Sequence, residues 1–478
     1  MIVSDWWLAT LFLYILGIAF ALDAIWQGRT AQGTIAWIVA LIFVPMVGIP
    51  LYLLFGSRRF HGYRLARRRG DARLNALGHQ IRHSLMPFAS RANTITQPLY
   101  NFFRLPMTHG NQCQLLINGE QTFAAMEHAI QQASHSICVQ FYIVRDDASG
   151  QRLADALIEK AQQGVQVYFL YDEIGSHGLK NSFLTTMADA GIRISRFNAL
   201  QLRHRLQINF RNHRKLMLID GEQCFIGGIN LGDEYLYQNN HWRDTHLQIR
   251  GPSALTFQLS FIEDWYWATQ YLPRLKWQPL PANDLVNSDL TSNESNGETN
   301  NSAVMCINTG PADSQESASL FFSHLIHQAK NRVWIATPYF VPDIATLSAL
   351  RLAALKGLDV RVILPDNTDK WLVQQAMGSY VEELSPCGVQ FYSYQPGFMH
   401  QKVLLIDQHW SSIGSANLDN RSLRINFEAN ALICDEKFAT QVETMLKQDL
   451  EQSLPMAVDS SRIKRLLTKT ARLSAPIL

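Results

Sequence analysis

The chain has 478 residues, 47% of them hydrophobic and 17% charged, with 42 Lys+Arg against 40 Asp+Glu. That apolar content excludes global disorder, and a formal net charge of +2 argues against bulk nucleic acid as a partner. The six cysteines (Cys113, Cys138, Cys224, Cys306, Cys387, Cys434) form no C-x-x-C pair, which disfavours a zinc knuckle or a disulfide-stapled secreted module and points to buried free thiols in a reducing compartment.

Charges are absent from residues 6–22 and again from residues 34–55. At ~1.5 Å per residue the second run would extend about 33 Å, enough for a bilayer core, while Trp6 and Trp7 suit an interface. Residues 1–57 are therefore expected to form two transmembrane helices. A cleaved signal peptide fits poorly, because the segment lacks a positive n-region and a small-residue cleavage site; a buried hairpin in a soluble domain is the other alternative. The loop 23–33 carries one cation, Arg29, whereas the basic connector 58–111 opens with Arg58, Arg59, Arg64, Arg67, Arg68, Arg69 and Arg73. Positive residues stay cytoplasmic, so this reading puts both termini and the body inside and the loop 23–33 outside. The arginines would lie against anionic membrane lipids, each contributing ~1 kcal/mol near the surface.

From residue 112 strands and helices alternate. CQLLI, SICVQFYIV and VQVYFLYD read as strands, EQTFAAMEHAIQQA and GQRLADALIEKAQQG as helices. The same order returns as SASLFFSHLIHQAKN, RVWIATPYFVPD, ATLSALRLAALKG and LDVRVILPDN. This is an α/β pattern of two repeated halves, 112–280 and 303–460, joined by a polar linker at 281–302 that reads as a mobile loop. Residues 461–478 read as a basic amphipathic C-terminal helix with Ile463, Leu466, Leu467, Thr470 and Leu473 on one face, suited to an anionic membrane surface or to docking on the body.

Each half carries His-x-Lys, four residues and Asp: His213, Lys215 and Asp220 in the first, His400, Lys402 and Asp407 in the second. Gly227 and Asn230 follow the first, Gly414 and Asn417 the second, with seventeen residues from histidine to asparagine in both. One such motif could be a solvated strand end; two in register with a repeat carry chemistry. On a strand, residues two apart share a face, so each histidine points with its lysine. An imidazole can attack or transfer protons near neutrality, and a lysine beside it meets developing negative charge on a phosphoryl group. Asn230 and Asn417 would add neutral donors to the same phosphate. The lysines make a metal unnecessary, and no other cofactor is indicated. Asp220 and Asp407 belong to the motif but stand at the strand end, where they are expected to fix the backbone rather than touch phosphate. His61, His109 and His177 lack such a context and read as surface or packing residues.

The paired HRKLMLID and HQKVLLID motifs, with GGINLGDEY and GSANLDNRS after them, look like those of the phospholipase D superfamily. Together with the hairpin GTIAWIVALIFVPMVGIPLYLLFGSRR, the chain resembles the bacterial cardiolipin synthases over nearly its whole length. The resemblance implies two phospholipase D-like α/β/α halves packed face to face behind an N-terminal helical hairpin in the bacterial inner membrane. It also implies transfer of a phosphatidyl group between two phosphatidylglycerol molecules through a phosphohistidine. Family order makes His213 the nucleophile and His400 the acid. An acidic residue after each motif, Asp244 in HWRDTHLQI and Glu428 in INFEANALI, would hold a catalytic imidazole by its far nitrogen, although their spacings from the histidines differ. The alternatives are a membrane-bound phospholipase D that uses water as acceptor, a nuclease of the same superfamily, which the membrane hairpin and near-neutral charge disfavour, and a non-catalytic membrane scaffold.

Overall fold

The computed structural model describes residues 2–26, 31–56, 72–91, 93–197, 209–236, 242–280, 299–457 and 461–475. The first apolar run is one helix, Ile2–Trp26, whose stretch Trp6–Trp26 is long and apolar enough to cross a membrane. The second run departs from the single span expected over 34–55. It is two helices, Ala31–Phe43 and Pro45–Phe55, separated at Val44. Pro45 has no N–H, and its ring collides with the carbonyl four residues back in a continuing helix. The chain therefore stops one helix before Pro45 and starts another with proline in its first turn, where the missing donor costs nothing.

The first half contributes β1 (Thr108–Ile117), β2 (Ser136–Phe141), β3 (Gln166–Asp172), β4 (Arg193–Phe197), β5 (Leu216–Ile219), β6 (Gln223–Gly227), β7 (Trp242–Arg243) and β8 (Thr245–Arg250). The second contributes β9 (Thr299–Thr309), β10 (Arg332–Ala336), β11 (Phe340–Val341), β12 (Asp359–Pro365), β13 (Gln390–Tyr394), β14 (Phe398–Met399), β15 (Val403–Ile406), β16 (Trp410–Gly414), β17 (Leu418–Asp419), β18 (Glu428–Cys434) and β19 (Ser453–Pro455). Strand order is the same in both: β1-β8-β6-β5-β2-β3-β4 and β9-β18-β16-β15-β10-β12-β13, with β19 added at the second outer edge. In each half three strands run parallel and are connected through helices, such as Ala148–Gln162 after β2 and Ile344–Leu355 after β10. Asp147 and Asp343 cap these two helices by accepting from the N–H of Gly150 and Thr346.

The halves meet in two ways. Antiparallel pairing of β1 with β9 joins their edges into one 15-stranded sheet. One apolar layer also draws on both: Leu216, Leu218, Ile226 and Leu247 pack in the same cluster as Val403, Leu405, Ile413 and Ala431. The alternate residues Met217 and Ile219 face the helices of their own half, as do Leu404 and Ile406 in the second. Burial on both faces is why LMLI and VLLI are unbroken apolar runs rather than alternating ones.

Three boundaries differ from the sequence reading. β1 begins at Thr108, inside the expected connector, and β9 begins at Thr299, inside the expected linker, of which residues 281–298 lie outside the described residues. The polar ends enter the sheet because side chains meet the backbone at an irregular pairing: Asn111 Nδ2 donates to the carbonyls of Thr108 (2.7 Å) and Ser302 (3.2 Å). RVWIATPYFVPD is interrupted between β10 and β11, around Pro338. The C-terminal helix Arg462–Arg472 lies on the helix Trp371–Leu384. It uses Thr468 and Ala471 for contact and stacks Arg472 4.2 Å over Tyr380, while Ile463, Leu466 and Leu473 remain exposed. The small residues fit the interface, so the expected apolar stripe is turned outward.

Candidate active site

His213 and Lys215 lie on the extended segment entering β5, and His400 and Lys402 on its counterpart entering β15. The backbones of the two halves exchange hydrogen bonds at this point. The N–H of His213 donates to the carbonyl of Phe427 (2.9 Å), and that of His400 to the carbonyl of Arg243 (2.8 Å). β7 pairs with β14, and an isolated bridge joins Asn212 to Phe427. Phe427 and Arg243 immediately precede Glu428 and Asp244, so each histidine is placed beside the acidic residue of the opposite half.

The side chains complete that exchange. His213 Nδ1 lies 3.0 Å from Glu428 Oε2, and His400 Nδ1 lies 2.6 Å from Asp244 Oδ2. An ionised carboxylate only accepts, so each Nδ1 carries the proton and each Nε2 keeps a lone pair. The carboxylate that follows one motif thus holds the imidazole of the other. Glu428 is held by Ser415 Oγ (2.5 Å) and Asn426 Nδ2 (3.1 Å), Asp244 by the N–H of Thr245 (2.7 Å). Gly228 occupies the position of Ser415 in the first motif. A Cβ there would fall 2.1 Å from Asp244 Oδ1, so only glycine admits the shorter acid.

Both lysines are buried. Lys215 Nζ donates to the carbonyl of His213 (2.7 Å); Lys402 Nζ donates to that of His400 and lies 3.8 Å from Asp244. Burial, with the Lys215 charge beside it, lowers the His213 pKa to about 4 against the opposing pull of Glu428. Burial and then the Lys402 charge lower His400 to about 3. Burial brings Lys402 down to about 8 and Lys215 well below its ordinary value. Burial alone would raise Asp244 and Glu428. The neighbouring histidines and lysines outweigh it and hold both below the ordinary carboxylate range. Two lysines and two carboxylates thus surround two neutral imidazoles. A phosphodiester entering between them brings the negative charge that favours a proton on one imidazole while the other stays a free base.

The remaining motif residues are placed differently. Asp220 accepts from Ser134 (N and Oγ, both 2.9 Å) and from the N–H groups of His135 and Ser136 (2.8 Å each). Asp407 does the same for Lys330, Asn331 and Arg332. Both stand at positive φ, 54° and 53°, at the far ends of β5 and β15 from the histidines. They tie the strand end to the start of the neighbouring strand, away from the reacting side chains. Asn230 Nδ2 donates to Tyr235 Oη (3.1 Å), and its Oδ1 accepts from the N–H of Ile143 (3.1 Å); Asn417 Nδ2 donates to Asp419 (3.2 Å).

Residues missed in the sequence are mostly aromatic. Tyr142 packs edge-on to His213 (4.8 Å between ring centres), while Trp242 and Phe398 lie 4.8 and 5.6 Å from His400, with Tyr235 Oη 3.4 Å from its Nδ1. Trp242 and Phe398 stand beside Asp244 and His400 in the chain, and Tyr142 belongs to a repeat landmark. Those were the available signals. The half-to-half contacts are secured by the buried ion pair Arg243–Asp449 (2.7 Å), with Gln401 also donating to Asp449, and by Arg214, which pairs with Asp264 of its own half (2.7 Å) and donates to the carbonyls of Glu428 (3.2 Å) and Thr309 (3.4 Å) in the other.

Residues 126–265 and 322–450 match the family described as cardiolipin synthase, PLD-like domain, and residues 12–57 match a phospholipase D-nuclease N-terminal family. Cardiolipin synthase A of Pseudomonas putida KT2440 is 44% identical over 98% of this chain and 96% of its own length. The protein of the same name from Pseudomonas aeruginosa LESB58 is 42% identical over 98% and 95%. Among solved structures, phosphatidylserine synthase of Haemophilus influenzae superposes with a TM-score of 0.62 at 16% identity, covering 81% of this chain and all of the other, which shows a shared fold.

Proposed function

The chain belongs to the PLD-like cardiolipin synthases, membrane-associated phosphatidyltransferases, and we propose that it moves a phosphatidyl group from one phosphatidylglycerol to a second, giving cardiolipin and glycerol. One observation carries the mechanism: two imidazoles, each backed through Nδ1 by a buried carboxylate, are gathered with two buried lysines where the halves meet. His213 Nε2 attacks phosphorus, the bond from phosphorus to the glycerol oxygen breaks, and His400 gives that oxygen its proton. His400 then takes the proton of the second lipid's primary hydroxyl. The new oxygen–phosphorus bond forms as the bond to His213 breaks. Lys215 and Lys402 balance the charge on the non-bridging oxygens, joined by Asn230 and Asn417 once substrate draws their amides over. Water as acceptor would give phosphatidic acid instead.

Purified full-length protein in detergent with labelled phosphatidylglycerol should yield cardiolipin and free glycerol as main products, unchanged after exhaustive EDTA treatment. Phosphatidic acid as the main product would overturn the transfer reading. Activity lost to EDTA and restored by one divalent ion would overturn the metal-free chemistry. We place the body on the cytoplasmic face of the inner membrane, on the strength of the seven arginines between residues 58 and 73.

A further inference from the structure

We propose that the helix Ile2–Trp26 alone crosses the bilayer and that residues 31–56 form a re-entrant hairpin, entering one leaflet from the body's side and returning to that same side. The proposal rests on the membrane association stated above and replaces the two-span topology expected from hydropathy.

The two short helices are folded back on each other. A Cβ on Gly48 would lie 2.4 Å from the carbonyl oxygen of Ala40, and the rings of Trp37 and Tyr52 meet edge-on at 5.1 Å. Residue 40 is thus beside 48 and residue 37 beside 52, an antiparallel register. In a continuous helix residues 40 and 48 would be about 12 Å apart. Around the reversal the N–H of Val44 bonds to Ala40 O (3.1 Å), those of Val47 and Gly48 bond to Val44 O (3.1 and 2.8 Å), and Pro45 brings no donor. Each donor paired in this way is one fewer left open to hydrocarbon. Arms of 13 and 11 residues extend only about 20 and 16 Å, short of a bilayer core.

The first helix measures how deep the hairpin goes. A Cβ on Gly17 would lie 2.4 Å from Leu41 O and 3.6 Å from Pro45 Cβ, so the apex is level with Gly17. Phe20 packs on Tyr52 (5.5 Å), and Tyr52 Oη donates to Asp23 Oδ2 at 2.6 Å, which aligns the returning arm with the helix end near Trp26. Nine residues separate Gly17 from Trp26, about 14 Å, or half of a ~30 Å core. Trp6 and Trp26 are 72% and 90% exposed and stand about 30 Å apart along the helix, each suited to one interface. Between them Leu8, Leu11, Phe12 and Ile15 are exposed, as are Phe43, Met46 and Val47 at the apex. These side chains fit acyl chains in the far leaflet and at mid-bilayer, respectively.

It follows that residue 31 and residue 56 emerge on the body's face, while the N-terminus lies on the opposite, external face. Single variants Ser4→Cys and Gln32→Cys of the full-length chain, in sealed right-side-out membrane vesicles, can be probed with a membrane-impermeant maleimide against the unmodified chain as background. The expected result is labelling of Ser4→Cys in sealed vesicles and of Gln32→Cys only after lysis. The reverse pattern would restore two spans with an external loop. Equal access of the two sites, before or after lysis, would mean that Ile2–Trp26 does not cross and would overturn the proposal. Recovery of the protein in the soluble fraction would instead refute membrane association itself. Cardiolipin formation by each variant, measured on the same vesicles, reports that the body is folded.

Discussion

His213→Ala should lose both the phosphoenzyme and cardiolipin formation, whereas His400→Ala should keep the first with an activated donor and lose the second. The asymmetry comes from the leaving group. Glycerol departs as a poor alkoxide and needs a proton from His400; general-acid catalysis of this kind contributes typically 10²–10⁴-fold. A donor with a good leaving group removes that need but still requires a nucleophile. In the His400→Ala protein acid quench should therefore trap a phosphate label on the peptide containing His213. The label should also persist, because the second lipid's hydroxyl has lost its base. Burial brings the two imidazoles to pKa values of about 4 and about 3, which leaves the attacking nitrogen unprotonated, and the negative charge of the entering phosphodiester is what favours a proton on the other ring. A label on the His400 peptide would exchange the two roles, and no label with any donor would remove the covalent intermediate.

Much of the fold and of this site was legible in the sequence, for identifiable reasons. Repetition exposed the two halves, because strands buried on both faces must be apolar throughout and the H-x-K-x4-D motif recurs at the same place in each. The positions of Asp220 and Asp407 followed from strand length alone, and each is found tying a strand end. Contacts between distant segments were not legible. Nothing in the distance from His213 to Asp244 says that the imidazole turns instead to Glu428. The crossing is set by backbone pairing of β7 with β14 and of Asn212 with Phe427. Hydropathy likewise could not separate a spanning arm from a folded one. Pro45 and Gly48 carry that information, and both stand in an apolar run that satisfies a span by composition.

The crossed pairs make Glu428 and Asp244 act on different steps, each through the histidine of the other half. Glu428→Gln can still accept from His213 Nδ1 but no longer stabilises the charge that this ring gains on attacking phosphorus, or fixes its tautomer. Formation of the labelled enzyme should slow by about 10²–10⁴-fold even with an activated donor, as expected when the carboxylate behind a reacting imidazole is neutralised. Asp244→Asn acts on His400. It should leave labelling from the activated donor within a few-fold of the parent while slowing cardiolipin formation from phosphatidylglycerol by a similar 10²–10⁴-fold. Gly228→Ala should resemble Asp244→Asn, because the added methyl would stand 2.1 Å from Asp244 Oδ1 and must displace the carboxylate from His400. An unchanged thermal unfolding midpoint in each variant would exclude collapse of the core as the cause. If Asp244→Asn blocked labelling and Glu428→Gln spared it, each acid would serve the histidine of its own half. The exchange of backbone between halves would then be packing alone. With the crossed outcome, neither half holds a complete imidazole–carboxylate pair, and the reacting site exists only where the two copies meet.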